Sequence, residues 1–274
     1  MEQLKKFLPG ASEITYENIT DVRRELSRRI VEDYNRTPGT LSEQEGDYDC
    51  PKCLNRGRIA ALREDGRYGF YDCECQPIRK SIRLMKESGL ESVIRDQTFD
   101  RFLVKADWQK AIKEGAMDYA RTAEGWLLFC GQPGCGKSHL CTAVCREQLL
   151  QGKPVRYMLW VAESGKLKNP ELPERDAKME ALKNTPILYI DDLFKPIRSA
   201  DGSTQPSTAD IRLAFELLNH RYLNRLPTIL STERLPGELL KIDQALGSRI
   251  LEMAADHCYT VRPDISRNQR LTEV

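Results

Sequence analysis

At 274 residues the chain can hold one domain of ordinary size and a small companion. Its 40% hydrophobic and 30% charged residues are those of a soluble intracellular protein, and no apolar run approaches the length of a membrane helix. The formal net charge is only +1, so any nucleic-acid contact must come from a local patch formed by assembly.

The N-terminus, MEQLKKFLPG, lacks the apolar core of a signal peptide, so a cytoplasmic location without a membrane is expected. Ile19 to Tyr34 reads as an amphipathic helix, with Val22, Leu26, Ile30 and Tyr34 on one stripe. Pro38-Gly39 breaks it, and a polar, acidic stretch from Ser42 to Asp49 follows.

Four of the nine cysteines then form a constellation: Cys50-Pro51-Lys52-Cys53, nineteen residues, and Cys73-Glu74-Cys75. Four thiolates suit tetrahedral Zn²⁺, and a site with four protein ligands leaves no open position, so its expected role is structural. Tyr68 to Asp72 alternates like a strand, and period two is expected to carry Cys73 and Cys75 on one strand face. Ile59 to Leu62 and the turn signal Asp65-Gly66 complete a hairpin that would bring the pairs together. Disulfides and unrelated buried thiols are the alternatives; the odd number of cysteines and a reducing compartment favour the metal. Cys141 and Cys145, one helical turn apart, read as small apolar residues. His139, His220 and His257 show no metal spacing.

Ile78 to Ser88 reads as a basic helical segment and the hinge between domains. Beyond Thr98 the chain alternates helices and strands. Trp126 to Cys130 is an apolar run of the buried parallel-strand kind, and Ser138 to Leu150 keeps a helical pattern. Between them lies Gly131-Gln132-Pro133-Gly134-Cys135-Gly136-Lys137-Ser138, a fit to the phosphate-cradling pattern G-x-x-x-x-G-K-[ST]. Glycines let backbone N–H groups close on phosphates at a helix N-terminus. Lys137 is expected to reach the β- and γ-phosphates of ATP, and the Ser138 hydroxyl to ligate Mg²⁺; His139 completes the expected nucleotide-binding run from Gly131.

Val155 to Val161 reads as a strand. Pro186 to Ile190 is another, and it ends in Asp191-Asp192, roughly 50 residues past the phosphate loop, the usual order of the two motifs. Asp191 is expected to hold Mg²⁺ through its water shell, and Asp192 to orient and deprotonate the attacking water. Asp192 is one methylene shorter than the glutamate many such ATPases carry, so slow hydrolysis is expected. Asp201 to Ser207 reads as a surface loop, and Leu226 to Ser231 and Cys258 to Val261 as further strands. Alternation of this kind implies an α/β fold, a parallel sheet flanked by helices.

The ordered set Thr98-Phe99, GQPGCGKSHL, VRYMLW, LYIDDLF, FELLNHRY, PTILSTE and GSRI resembles the AAA+ P-loop ATPases of the DnaC and DnaI helicase-loader group, and most of all the DnaC-like replication proteins of phages and prophages. The resemblance spans roughly residues 98–274, and the cysteine module is similar to the helicase-binding domain of the DnaI type. It implies three segments: 1–78, an N-terminal helix and zinc-ribbon domain that binds the helicase; 79–97, a linker; and 98–274, the AAA+ domain. It also implies an ATP-dependent loader of the hexameric replicative helicase onto single-stranded DNA, working as a homo-oligomer in the ATP state. A transposition helper similar to IstB and a nucleotide-gated adaptor that barely hydrolyses ATP are the alternatives. In the family pattern Thr232 or Glu233 stands at the sensor of the γ-phosphate, where Asn is usual, and Arg249 in Gly247-Ser248-Arg249-Ile250 stands at the arginine finger acting on a neighbouring subunit. The helical lid is expected to be missing or vestigial, with Arg270 as a candidate for the second sensor. Lys166 and Lys168 read either as DNA contacts or as a solvated charged loop.

Overall fold

The computed structural model describes residues 19–41, 48–87, 91–169, 173–197, 202 and 204–271. The expectations for the first ten residues, for most of Ser42 to Asp49 and for Asp201 and Ser203 of the surface loop lie outside the described residues. The chain divides into two compact units, Met1–Arg79 and Lys80–Val274.

In the first unit, α1 (Ile19–Arg36) half-buries the stripe Val22, Leu26, Ile30 and Tyr34. The strands β1 (Arg58–Leu62) and β2 (Tyr68–Asp72) pair antiparallel, from Arg58 opposite Asp72 to Leu62 opposite Tyr68. The Asn35 amide engages the backbone of Ala60 in both directions at 2.9 Å, and Tyr34 meets Phe70 with ring centroids 4.7 Å apart. The Asn35 amide thereby satisfies the main chain of Ala60 on an edge strand, where it would otherwise stand unpaired. Cys73 and Cys75 do not share a strand face: β2 ends at Asp72, the chain turns through Glu74, and Cys75 is the first residue of α2 (Cys75–Glu87). The turn itself brings the sulfurs together, with Cys73 N–H bonded to Gly57 O at 2.9 Å and Gln76 N–H to Cys73 O at 2.9 Å.

The segment assigned to a linker holds the end of α2 and a short helix, α3 (Glu91–Asp96). In the second unit five strands form one parallel sheet: β3 (Trp126–Gly131), β4 (Val155–Leu159), β5 (Ile187–Asp191), β6 (Thr228–Thr232) and β7 (Cys258–Val261), in the order β4-β5-β6-β3-β7. Both faces are covered. Leu127 and Phe129 join Ile112, Tyr119, Leu140 and Val144 on one side, whereas Trp126, Leu128 and Cys130 join Leu182, Leu217 and Ile250 on the other. Burial on both faces is why these strands read as continuous apolar runs rather than alternating ones. Cys141 and Cys145 are fully buried in the first of these layers, as small core residues.

The run from Val155 is shorter as a strand than its composition predicts. It ends at Leu159, and Trp160 and Val161 open the helix α6 (Trp160–Leu167). Trp160 is buried edge-on to Phe194, with centroids 5.6 Å apart, so apolar character continues across the junction and hides it from a period-based reading.

Arg221, from the FELLNHRY segment, is completely buried on α8 (Thr208–Leu223). Its guanidinium donates to Thr228 Oγ1 at 2.9 Å, to Pro227 O at 2.6 Å, and to the carbonyls of Leu182, Lys183 and Thr185 at 2.8–3.1 Å. Three of these carbonyls lie at or just past the C-terminus of α7 (Arg175–Asn184), where the helix leaves acceptors without donors. Burial lowers the Arg221 pKa to about 10, so the side chain is still a cation at neutral pH. Arg221→Met should cost about 3–5 kcal/mol, because it strands several buried acceptors at once. Denaturant unfolding followed by intrinsic fluorescence checks this, and an unchanged midpoint would rule out the strut.

Candidate nucleotide site and cysteine cluster

The phosphate-loop motif sits at the C-terminal end of β3, the edge of a parallel sheet where ligands bind in such folds. The loop feeds α5 (Lys137–Leu150). Gly134 and Gly136 adopt φ of 77° and 95°, left-handed backbone that a side chain would strain. Lys137 folds back over the loop, its ammonium donating to Gly131 O at 2.7 Å and Gln132 O at 2.9 Å. Beside it lies a cavity of about 340 Å³, bounded by the glycines, Lys137 and Ser138 on one side and Asp192, Lys195 and Glu233 on another.

Asp191 ends β5 nearly buried, and three hydroxyls converge on it: Ser138 at 3.0 Å, Tyr157 at 3.4 Å, and Ser231 in a short bond. Ser138 and Asp191 come from motifs 53 residues apart, and the fold joins them directly. Such a hydroxyl–carboxylate pair is a hard oxygen donor set of the kind Mg²⁺ takes. Asp192 has φ of 57°, an uncommon conformation for a residue other than glycine, which turns its carboxylate toward the cavity. The Ser231 hydroxyl also accepts from the Asp192 N–H at 3.1 Å, so one serine on β6 steadies both acids. Lys195 pairs with Asp192 at 2.6 Å and with Glu233 at 3.6 Å, and these two carboxylates raise its pKa, Asp192 most.

Thr232 and Glu233 separate cleanly. Thr232 is fully buried, its hydroxyl donating to Leu193 O at 2.6 Å and accepting from Arg234 N–H at 3.0 Å; Glu233 borders the cavity. Thr232 therefore braces the turn behind the site, and of the two only Glu233 is placed to meet a ligand there. Cys135 has its thiol in the core, where burial raises its pKa, which leaves the main chain as its part of the loop. His139 Nε2 donates to Thr98 O at 2.8 Å and stands edge-on to Phe102, tying the loop helix to the Thr98-Phe99 segment. Pro133 and Gln97 also border the cavity.

Arg249 stands on α10 (Gln244–Met253), outside this cavity. Its guanidinium lies 5.1 Å from the Phe215 ring centroid and 5.5 Å from that of Tyr222, and donates to Ala245 O at 3.2 Å. Lys168 is paired with Asp210 at 2.7 Å, while Lys166 is exposed.

The sequence reading missed how the last residues return to the loop. The Gln132 amide clasps Asp264, accepting from its N–H at 2.6 Å and donating to its carbonyl at 2.8 Å. Gln269 N–H donates to Gly134 O at 2.9 Å, and Arg270 borders the cavity. Lys195, Ser231 and this returning segment belong to no local motif; only contacts across the fold reveal them.

The four motif cysteines form the second constellation. Cys50, Cys53, Cys73 and Cys75 are buried with their sulfurs all within 4.8 Å of one another, 3.7 Å for Cys50–Cys73 and 3.6 Å for Cys53–Cys75. Zn–S bonds of about 2.3 Å in a tetrahedron put sulfurs about 3.8 Å apart, so the donor set fits Zn²⁺ in kind and spacing. Burial pushes the Cys75 thiol up to about 12, against the nearby Arg79, which lowers it.

The family model of the ATPase family associated with various cellular activities (AAA) matches residues 127–254, which contain the loop, the acidic pair and Arg249. The phage-like element PBSX protein XkdC of Bacillus subtilis is 31% identical over 90% of this chain and 93% of its own. The replicative helicase loader DnaC of Escherichia coli is 25% identical over 71% of this chain and 74% of its own. Among solved structures, that of DnaI superposes with a TM-score of 0.50 at 17% identity, over 65% of this chain and 92% of that one, a likeness of fold. No described helix is long and apolar enough to cross a membrane. With a near full-length relative at this identity and the AAA match over the candidate nucleotide site, the chain belongs to the AAA ATPases and, within them, to the phage-like DnaC type.

Proposed function

We propose that this protein is an ATP-controlled loader of the replicative DNA helicase onto single-stranded DNA. The observation that carries the reading is the meeting of the phosphate loop, Ser138 and Asp192 at one cavity, with Asp191 bonded to Ser138 just behind it, in a chain similar along most of its length to a protein named as a helicase loader. In this reading residues 1–78 grip the helicase, 79–97 connect, and 98–274 bind ATP and assemble into a homo-oligomer.

On ATP binding Lys137 exchanges the carbonyls of Gly131 and Gln132 for the β- and γ-phosphates, a move between acceptors within reach of one side chain. Mg²⁺, held by Ser138 and by Asp191 through water, would supply charge neutralisation at the transferring phosphoryl group. Asp192 holds and deprotonates the attacking water, while Lys195 keeps the Asp192 and Glu233 carboxylates facing the γ-phosphate end of the cavity. Four thiolates from Cys50, Cys53, Cys73 and Cys75 would hold Zn²⁺ as a structural ion. ATP can favour the assembled state only by binding it more tightly than the free subunit.

Asp192→Asn should leave ATP affinity near the parental value and lower turnover by about 10² or more, since an amide cannot take the proton of water. Phosphate release at the parental rate would remove Asp192 from the role of base. The function itself is tested with the purified chain and the host's replicative hexameric helicase. A complex that forms with ATP and transfers the helicase to a closed single-stranded circle, read as later unwinding, is expected. Failure to form any complex, with ATP hydrolysis intact, would overturn the loader reading.

A further inference from the structure

Arg79 is among the most buried side chains of the protein, 1% exposed, although an arginine is one of the costliest residues to bury. It stands one turn into α2 from Cys75, close enough for its side chain to lower that thiol's pKa against the effect of burial. Its Nη2 donates to Asn55 Oδ1 at 2.8 Å, and the same oxygen accepts the N–H of Cys50 at 2.8 Å. The Tyr48 ring lies 5.4 Å from the guanidinium carbon. One cation thus stands beside the second cysteine pair, one turn from Cys75, and is tied to the first through Asn55 at Cys50.

Charge balance explains why a cation belongs there. Four thiolates around a divalent ion leave a net charge of about −2 in a buried site, and partners beyond the ligands commonly set how tightly such ions are held. Lys52 and Glu74, the other charged residues inside the two motifs, pair with each other at 2.7 Å on the surface and leave that task undone. We propose that Arg79 is the counter-ion of the cysteine cluster, a positioning residue whose buried guanidinium balances the negative charge of the four-sulfur site and ties the two cysteine pairs together through Asn55. This rests on the zinc reading of the cluster, and the test separates the two.

The metal-loaded full-length protein is compared with Arg79→Met and Arg79→Lys. Zinc release to a chromogenic chelator should be at least about tenfold faster in Arg79→Met, and Arg79→Lys should restore most of the difference because it keeps the charge. Substitution with Co²⁺ gives a readout that packing alone would not move. A cation beside a thiolate stabilises the sulfur lone pairs, so the sulfur-to-cobalt charge-transfer band should move to longer wavelength in Arg79→Met and return in Arg79→Lys. Equal release rates and an unmoved band in Arg79→Met would overturn the proposal. If Arg79→Met fails to fold, Arg79→Lys still decides: a parental band position supports the counter-ion, and a band displaced as far as that of Asn55→Ala overturns it. Absence of any zinc or cobalt in the parental protein would sink the metal reading itself, before Arg79 is in question.

Discussion

Lys137→Ala should abolish tight ATP binding, raising Kd by at least about 10²-fold in titration calorimetry at fixed salt. The size follows from the loss of two charge-assisted hydrogen bonds to phosphate, each worth about 1.5–3 kcal/mol. The variant should stay folded, because among the described residues the ammonium bonds to the carbonyls of Gly131 and Gln132 within its own loop. Any metal bound at the cysteine cluster should be retained, since Cys50, Cys53, Cys73 and Cys75 lie in the first compact unit and Lys137 in the second. Unchanged ATP affinity in a folded Lys137→Ala protein would mean that the cavity beside the loop is not the nucleotide site.

The loop was legible because its chemistry needs particular residue types at fixed spacing, and the flanking strand and helix form where the apolar pattern places them. Asp191 and Ser138 were legible separately; only the sheet order, which sets β6 between β3 and β5, explains how Ser231 comes to hold both acids. Lys195 follows Asp192 by three residues, yet nothing in the sequence marks it as a partner rather than one more surface lysine. The clasp between Gln132 and Asp264 joins residues 132 positions apart, a separation at which no period or motif carries information. At the cysteines the coming together of the four sulfurs was readable but the strand-face geometry was not, because a C-x-C pair is compatible with a strand and with a turn entering a helix. Arg79 looked like one charge in a basic helix. Its burial emerges only when α2 starts at a cysteine and carries the arginine back over the cluster.

Arg249→Ala is expected to lower ATP hydrolysis in the assembly by about 10³–10⁵-fold, the usual effect of removing an arginine that stabilises charge on the transferring phosphoryl group. ATP affinity of an isolated subunit should stay nearly constant, because Arg249 lies outside the cavity of its own chain. The rings of Phe215 and Tyr222 beside the guanidinium favour a held orientation, which suits the role we propose for Arg249, meeting a neighbour's phosphate without reordering. The same contacts admit a second role, packing of α10 on α8, so a rate loss in one variant does not decide between them. Mixing does. Arg249→Ala and Lys137→Ala subunits are each expected to be inactive alone, but an assembly of both would contain sites where an intact Lys137 faces an intact Arg249. Phosphate release should therefore rise above that of either variant, in proportion to the fraction of such junctions. If mixed assemblies form and stay silent, Arg249 acts within its own subunit or only in packing.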